Sequence, residues 1–279
     1  MQLSNSSSLI HQEGLQLLII DNQHAHSTIS LHGGHVISFM PKHDHRPRLW
    51  LSEKAILDAK HPIRGGIPIC WPWFGAHSTN TSYPSHGYVR NQPWHIVDCQ
   101  DRQTETVVHL QPQSCHGEGF DGQAQLTLVI KVGSKLSVQL ITHNIGQLDF
   151  TYNAAMHSYF KVDDITRCKL KGLEGDYKDK LQHYALADTP HPYGFSTETD
   201  RVHLATPHEL CIVQDIGNTD ILSNGHDSIV VWNPWAANAK TMTDMTDDGY
   251  KTMLCVETAI TQGQVVPPGQ SHTLEQIIR

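Results

Sequence analysis

In the segment Met253-Leu-Cys-Val-Glu257-Thr-Ala259, period-two alternation puts Glu257 on one face with Met253 and Cys255, and Leu254 and Val256 on the other. A carboxylate in a strand that is apolar on both faces is costly unless paired. Desolvation raises its pKa from about 4.3, which would poise it as a base near neutral pH. A buried ion pair with an Arg or Lys is the competing explanation. A second awkward residue lies in Asn153-Ala-Ala-Met-His157-Ser-Tyr-Phe160. Read as a strand, this run lines one face with Asn153, Ala155, His157 and Tyr159, and the other with Ala154, Met156, Ser158 and Phe160. Small residues around an imidazole and a phenol suit a pocket wall, although a satisfied, half-buried histidine is the ordinary alternative.

Two further segments carry groups that could hold a ligand. Arg64-Gly-Gly-Ile-Pro-Ile-Cys-Trp-Pro-Trp-Phe-Gly75 combines paired glycines, which let backbone approach a ligand, with the flat rings of Trp71, Trp73 and Phe74, of the kind sugars stack on. A Pro-stiffened, aromatic-packed loop reads the same residues without a ligand. His86-Gly-Tyr-Val-Arg90-Asn91 adds a second arginine. Arg64 and Arg90 could converge on one anion, because guanidinium forks match carboxylate and phosphate. Surface arginines with no such task are commoner.

Metal and redox chemistry have weaker support. The chain has 21 histidines, with close pairs at His24/His26, His32/His35 and His43/His45, but no HExxH and no helical HxxxH. The excess is spread along the whole chain, so no metal site is expected. Cys70, Cys99, Cys115, Cys168, Cys211 and Cys255 form no CxxC, and read as reduced, mostly core thiols.

The elements that must position these residues are strands. Ala124–Val132 and Leu136–His143 flank Gly133-Ser-Lys135, a hairpin with a short loop. Further β-rich runs are 15–20, 28–31, 36–39, 106–110, 209–214, 228–232, 253–258 and 273–278, punctuated by Gly, Pro, Asn and Asp. Only 53–59 and 177–186 hint at helix. Ten or more strands imply an all-β fold, a large antiparallel sandwich or barrel. No linker or repeat divides the 279 residues, so one domain over 1–279 is expected, with the first few residues frayed. Twenty Lys+Arg against 28 Asp+Glu give −8, with no basic run, which argues against nucleic acid as the main partner. The longest apolar stretch is far shorter than a membrane span, and MQLSNSSS lacks the regions of a signal peptide. A soluble, cytoplasmic protein is the expectation.

Taken in order, RGGIPICWPWFG, HGYVRNQPW, NAAMHSYF, ETDRVH around Asp200, VVWNPW and a closing VETA resemble the aldose 1-epimerase (mutarotase) superfamily over most of the chain. The branch most similar is the hexose-6-phosphate mutarotases, or glucose-6-phosphate 1-epimerases. RGGIP with a following HG-x-x-R is specific to that branch, whereas the His and Glu belong to the whole superfamily. The resemblance implies a β-supersandwich, a monomer, no cofactor, and interconversion of the α and β anomers of a hexose 6-phosphate. His157 would be the general acid at the ring oxygen and Glu257 the general base at the C1 hydroxyl. Asp200 and His86 would hold substrate hydroxyls, and Arg64 and Arg90 the phosphate. Trp73 and Asn233 would line the same site. Two departures stand out: VETA replaces a VEPG-like motif, and Thr79–Ser85 holds no Lys, so a third cation on the phosphate must come from elsewhere.

The chemistry needs one base and one acid, with neither metal nor nucleotide. At a pKa of about 6.5, His157 would be partly protonated at neutral pH, and a nearby carboxylate would increase that fraction. The alternatives are a mutarotase for unphosphorylated aldoses, which has no reason to keep the arginine pair, and a sugar-phosphate binding module without turnover. A binding module needs neither a buried Glu nor a His facing it. A metal-dependent β-barrel enzyme drawing on the histidine excess is the remaining alternative.

Overall fold

In the computed structural model, which describes residues 3–279, the chain is built almost wholly from antiparallel strands. The strands β1 (Ser7–Gln12), β2 (Leu15–Asp21), β3 (Ala25–Ser30) and β4 (His35–Pro41) form a four-stranded meander. The chain continues through β5 (Ile69–Cys70), β6 (Trp94–Asp101), β7 (Glu105–Pro112), β8 (Ala124–Gly133) and β9 (Leu136–Asn144). Next come β10 (Phe150–Met156), β11 (Tyr159–Lys161), β12 (Lys169–Lys171), β13 (Asp176–Asp179), β14 (Ala185–Asp188), β15 (Tyr193–Gly194) and β16 (Thr199–His203). The last are β17 (Glu209–Val213), β18 (Thr219–Asn224), β19 (Ser228–Asn233), β20 (Met253–Val266) and β21 (Ser271–Ile278). A short helix, α1 (Trp235–Ala239), follows β19.

Two large sheets carry the fold. One runs β15-β12-β17-β18-β21-β9-β8-β7-β6. The other runs β14-β13-β16-β19-β20-β10-β5, and β11 joins β20 where β10 stops. Leu126, Leu128 and Ile130 of β8 and Val138 and Leu140 of β9 share one buried core with Ala154, Met156, Ile229, Val231, Leu254 and Val256. Each large aliphatic side chain buried there contributes about 1.5–3 kcal/mol. Because strand side chains alternate, this burial turns Ala155, Val230, Cys255 and Ala259 to the opposite face of the second sheet, where they pack in separate clusters. That second face carries the chemistry.

The all-β fold expected from periodicity is observed, in the supersandwich form that the resemblance implied, and the hairpin around Gly133 is β8–β9. Two local readings are corrected. Tyr177–Leu186 is not a helix: it spans the β13–β14 hairpin, with a single 3-10 turn at Lys180–Gln182 and positive φ at His183 and Tyr184. The open edge of β16 templates it, pairing Tyr177 with His203 and Lys178 with Val202. Glu53–Ala59 is likewise not helical: a turn at Glu53 and Lys54 leads through irregular chain to a bend that includes Ala59 at φ 56. The run 153–160 is two strands, broken at His157 and Ser158, although its face alternation survives the break. Part of the expected N-terminal fraying concerns residues 1–2, outside the described residues. Ser4 and Ser6 are tied to the body, Ser6 by its N–H to Asp101. All six cysteines are free, four of them buried.

Candidate active site

Register explains why a histidine and a glutamate distant in sequence meet. Glu257 stands opposite Val230 on β19, while on its other side Ala259 pairs with Ala155 and Cys255 with Tyr159. His157, between those two pairings, is therefore level with Glu257. Its Nδ1 lies 3.5 Å from Glu257 Oε1. Backbone hydrogen bonds hold the break in place: the His157 N–H donates to Pro68 O at 3.0 Å and the Tyr159 N–H to Gly66 O at 2.8 Å. The Arg64–Pro68 loop can lie this close only because of glycine. Gly66 has φ +62, and a Cβ there would sit 2.3 Å from Val36 O. Gly87, at φ +71, meets a tighter limit, since its Cβ would fall 1.9 Å from Trp71 O.

The pair is dry. Glu257 is 1% exposed, its Oε2 has no partner, and His157 Nδ1 has no hydrogen bond. Burial pushes the Glu257 carboxyl well above its ordinary range, with Lys180 opposing and Asp200 adding to the shift. Burial also drives His157 well below its ordinary value, reinforced by His86, Arg90 and Arg64. Both shifts run towards the uncharged forms, a carboxyl beside a neutral imidazole. The direction runs against the expectation of a His157 charge supported by the carboxylate, because burial, His86, Arg90 and Arg64 all lower it. No Arg or Lys pairs directly with Glu257 among the described residues.

Charged groups surround this pair. Arg64 donates from Nε to Asp244 Oδ2 at 3.1 Å and from Nη1 to the Tyr159 hydroxyl at 2.9 Å. Burial opposes its charge, but Tyr159 and Asp244 more than offset this and hold it cationic. Arg90, on the 3-10 turn Val89–Asn91, donates to Ser85 O at 2.9 Å, while its buried Nε has no partner. The charges of both arginines reach His157 and His86. Asp200, beside Trp232 in the β16–β19 register, is paired with Lys180 Nζ at 2.7 Å and keeps a buried, unpartnered Oδ1. His86 accepts the Gly75 N–H at Nδ1 (3.2 Å), and its ring lies 5.5 Å from that of His157. Burial, with Arg90, Lys180 and Arg64, pulls it down to about 3. Beside the His86 flank, Phe74, Lys178, Lys180, Tyr184, Val202 and Thr261 line a cleft of about 230 Å³. A larger cavity, about 500 Å³, lies around Phe120 and Asp149 and holds none of these groups.

The structure thus gathers His157, Glu257, His86, Asp200, Arg64 and Arg90, but not Trp73 or Asn233. Trp73 is 6% exposed, packs on His77, Tyr83 and Tyr88, and donates its indole N–H to Pro84 O. Asn233 is fully buried, donating to Tyr250 O and Met253 O at 2.9 Å each and accepting the Trp235 N–H. It pins the end of β19 to α1. The aromatic walls are instead Tyr159, stacked on His157 at 5.0 Å, and Trp232, edge-on at 6.1 Å. Alternation from Val230 could have revealed Trp232. Lys180 and Asp244 carried no local signal.

An antiparallel supersandwich with a buried histidine–carboxyl pair beneath a rim of cations defines a protein of the galactose mutarotase-like class. Comparison with known proteins agrees: residues 16–279 match the family model for aldose 1-epimerase. A Salmonella typhimurium protein provisionally named a glucose-6-phosphate 1-epimerase is 33% identical over 265 residues, 92% of this chain and 87% of that one. An Escherichia coli protein with the same provisional name is 32% identical over 287 residues, covering 100% and 95% of the two chains. The crystal structure of a Salmonella typhimurium protein, provisionally named a mutarotase, superimposes with a TM-score of 0.91 at 31% identity, covering 99% of this chain and 94% of that one. The chain belongs to the aldose 1-epimerase family, and so to the isomerases that act on small sugars.

Proposed function

We propose that this protein interconverts the α and β anomers of a hexose 6-phosphate by opening and reclosing the pyranose ring. The observation that carries the reading is the buried His157–Glu257 contact, 3.5 Å from Nδ1 to Oε1, lying within the field of Arg64 and Arg90. A phosphate of about −1.5 to −2 charge docked on those guanidiniums removes the arginines' share of what lowers His157, the share that adds to burial. The proton then passes from Glu257 to the imidazole, leaving a carboxylate base beside an imidazolium acid. Glu257 takes the O1 proton as His157 gives its proton to O5, and the C1–O5 bond breaks. Rotation about C1–C2 presents the other carbonyl face. Reclosure returns the O5 proton to His157 and the Glu257 proton to O1, so the pair ends as it began. His86 and Asp200 Oδ1 hold ring hydroxyls, and Tyr159 and Trp232 confine the sugar.

A second reading, an unphosphorylated aldose as substrate, is favoured by the ion pair of Arg64 with Asp244, which gives that arginine a task without phosphate. Anomer exchange measured by NMR on glucose 6-phosphate and free glucose separates the two. Acceleration of the phosphosugar alone is expected. Acceleration of free glucose alone establishes the second reading, and tight phosphosugar binding with no acceleration makes the protein a binding module.

A further inference from the structure

Cys255 takes no part in the proton transfers, yet it stands in their midst. It is fully buried on the same face of β20 as Glu257, two residues away, and opposite Tyr159 in the β11 register. One ligand atom each from His157, Cys255 and Glu257 lies within 4.8 Å of the others. Among the described residues this is the one such group of three His, Cys, Asp or Glu side chains, and none of the histidine pairs conspicuous in the sequence belongs to it. We propose that His157, Cys255 and Glu257 form a binding site for a thiophilic divalent cation, Zn²⁺ or Cd²⁺, which inhibits the protein by occupying the sugar site.

Three observations carry this. Geometry comes first: zinc bonds of about 2.0–2.3 Å in a tetrahedron place neighbouring ligand atoms about 3.3–3.6 Å apart. The His157 Nδ1 to Glu257 Oε1 separation of 3.5 Å already meets that, and a limit of 4.8 Å leaves Cys255 Sγ little more than 1 Å to close. Second, His157 Nδ1 and Glu257 Oε2 are buried without hydrogen-bond partners, so neither has a hydrogen bond to give up. Third, three ligands, two from β20 and one from the break between β10 and β11, leave the fourth position open on the side where His157 is 12% exposed, the arrangement of an accessible rather than a closed zinc site. The charges balance as well: the thiol and carboxyl protons leave to solvent as one dication enters, so the buried net charge is unchanged. A thiolate with an imidazole selects Zn²⁺ or Cd²⁺ over Mg²⁺ and Ca²⁺.

The test is titration of the reduced full chain with Cd²⁺, following the thiolate-to-cadmium charge-transfer band in the ultraviolet. One equivalent with a saturating band is expected, with the band lost in Cys255→Ser and affinity about tenfold or more weaker in His157→Gln. Surface histidines that take up cadmium give no such band. Thermal melts verify folding, and Cys255→Ala replaces the serine variant if that fails. No band at one equivalent, or a band that persists in the Cys255 variants or is unmoved by His157→Gln, overturns the site. Saturating glucose 6-phosphate should displace the metal; a band that survives it keeps the metal site but removes the phosphosugar from this cleft.

Discussion

Replacing Glu257 by Gln tests the site most directly. The two side chains have the same shape, and the position is 1% exposed with one oxygen unpartnered, so the fold has little to lose. The amide cannot take the O1 proton. General base catalysis contributes about 10²–10⁴ in rate, or roughly 2.7–5.5 kcal/mol of barrier, and kcat for anomer exchange should fall by that factor with KM little changed. Stability should move the other way, and with a definite pH dependence. The carboxyl's folded pKa lies well above its unfolded value of 4.5, so its contribution is full below 4.5 and is lost as pH rises towards the folded pKa. Glu257→Gln should therefore gain on the wild type above about pH 4.5, by at most about 1.4 kcal/mol per pH unit. NMR exchange spectroscopy reads the rate and urea unfolding between pH 5 and 8 reads the stability. A variant with kcat within tenfold of wild type refutes the base assignment, and a stability difference flat across that range refutes the dry-carboxyl argument.

Arg64→Ala should raise KM for glucose 6-phosphate far more than it lowers kcat, and leave any activity on free glucose unchanged; an unaltered KM removes Arg64 from phosphate binding. Asn233→Ala breaks three hydrogen bonds, one buried and two part-buried, and should cost about 3 kcal/mol in urea unfolding; a raised KM with intact stability would instead make it a sugar ligand. His35, His86 and His203 are each held at about 3, chiefly by burial. Their folded pKa values are depressed, so the stability they confer is full above 6.5 and drains as pH falls from there towards 3. Unfolding free energy should drop across that window, and a flat profile between pH 6.5 and 4 would contradict their burial as neutral rings.

What the sequence determined by itself is whatever depends on neighbours along one strand. Alternation in 253–259 set Glu257 beside Cys255, and alternation in 153–160 set His157 beside Tyr159, because successive strand side chains point to opposite faces whatever the partner strand. The same rule made 124–143 a hairpin and the whole chain all-β. Family motifs pointed to His86, Asp200, Arg64 and Arg90, but motifs carry no distances, and they pointed equally to Trp73 and Asn233, whose polar groups the fold has engaged elsewhere. Only tertiary structure decided that His157 and Glu257 touch, since their meeting depends on the register of β10 and β11 against β20. It also decided that 177–186 is a hairpin bringing Lys180 to Asp200, because the free edge of β16 outweighs a weak helical preference. The opposed pKa shifts of the pair depend on the fold in the same way. The charge on a buried histidine follows from dehydration and from arginines dozens of residues away, a sum over space that no local pattern contains.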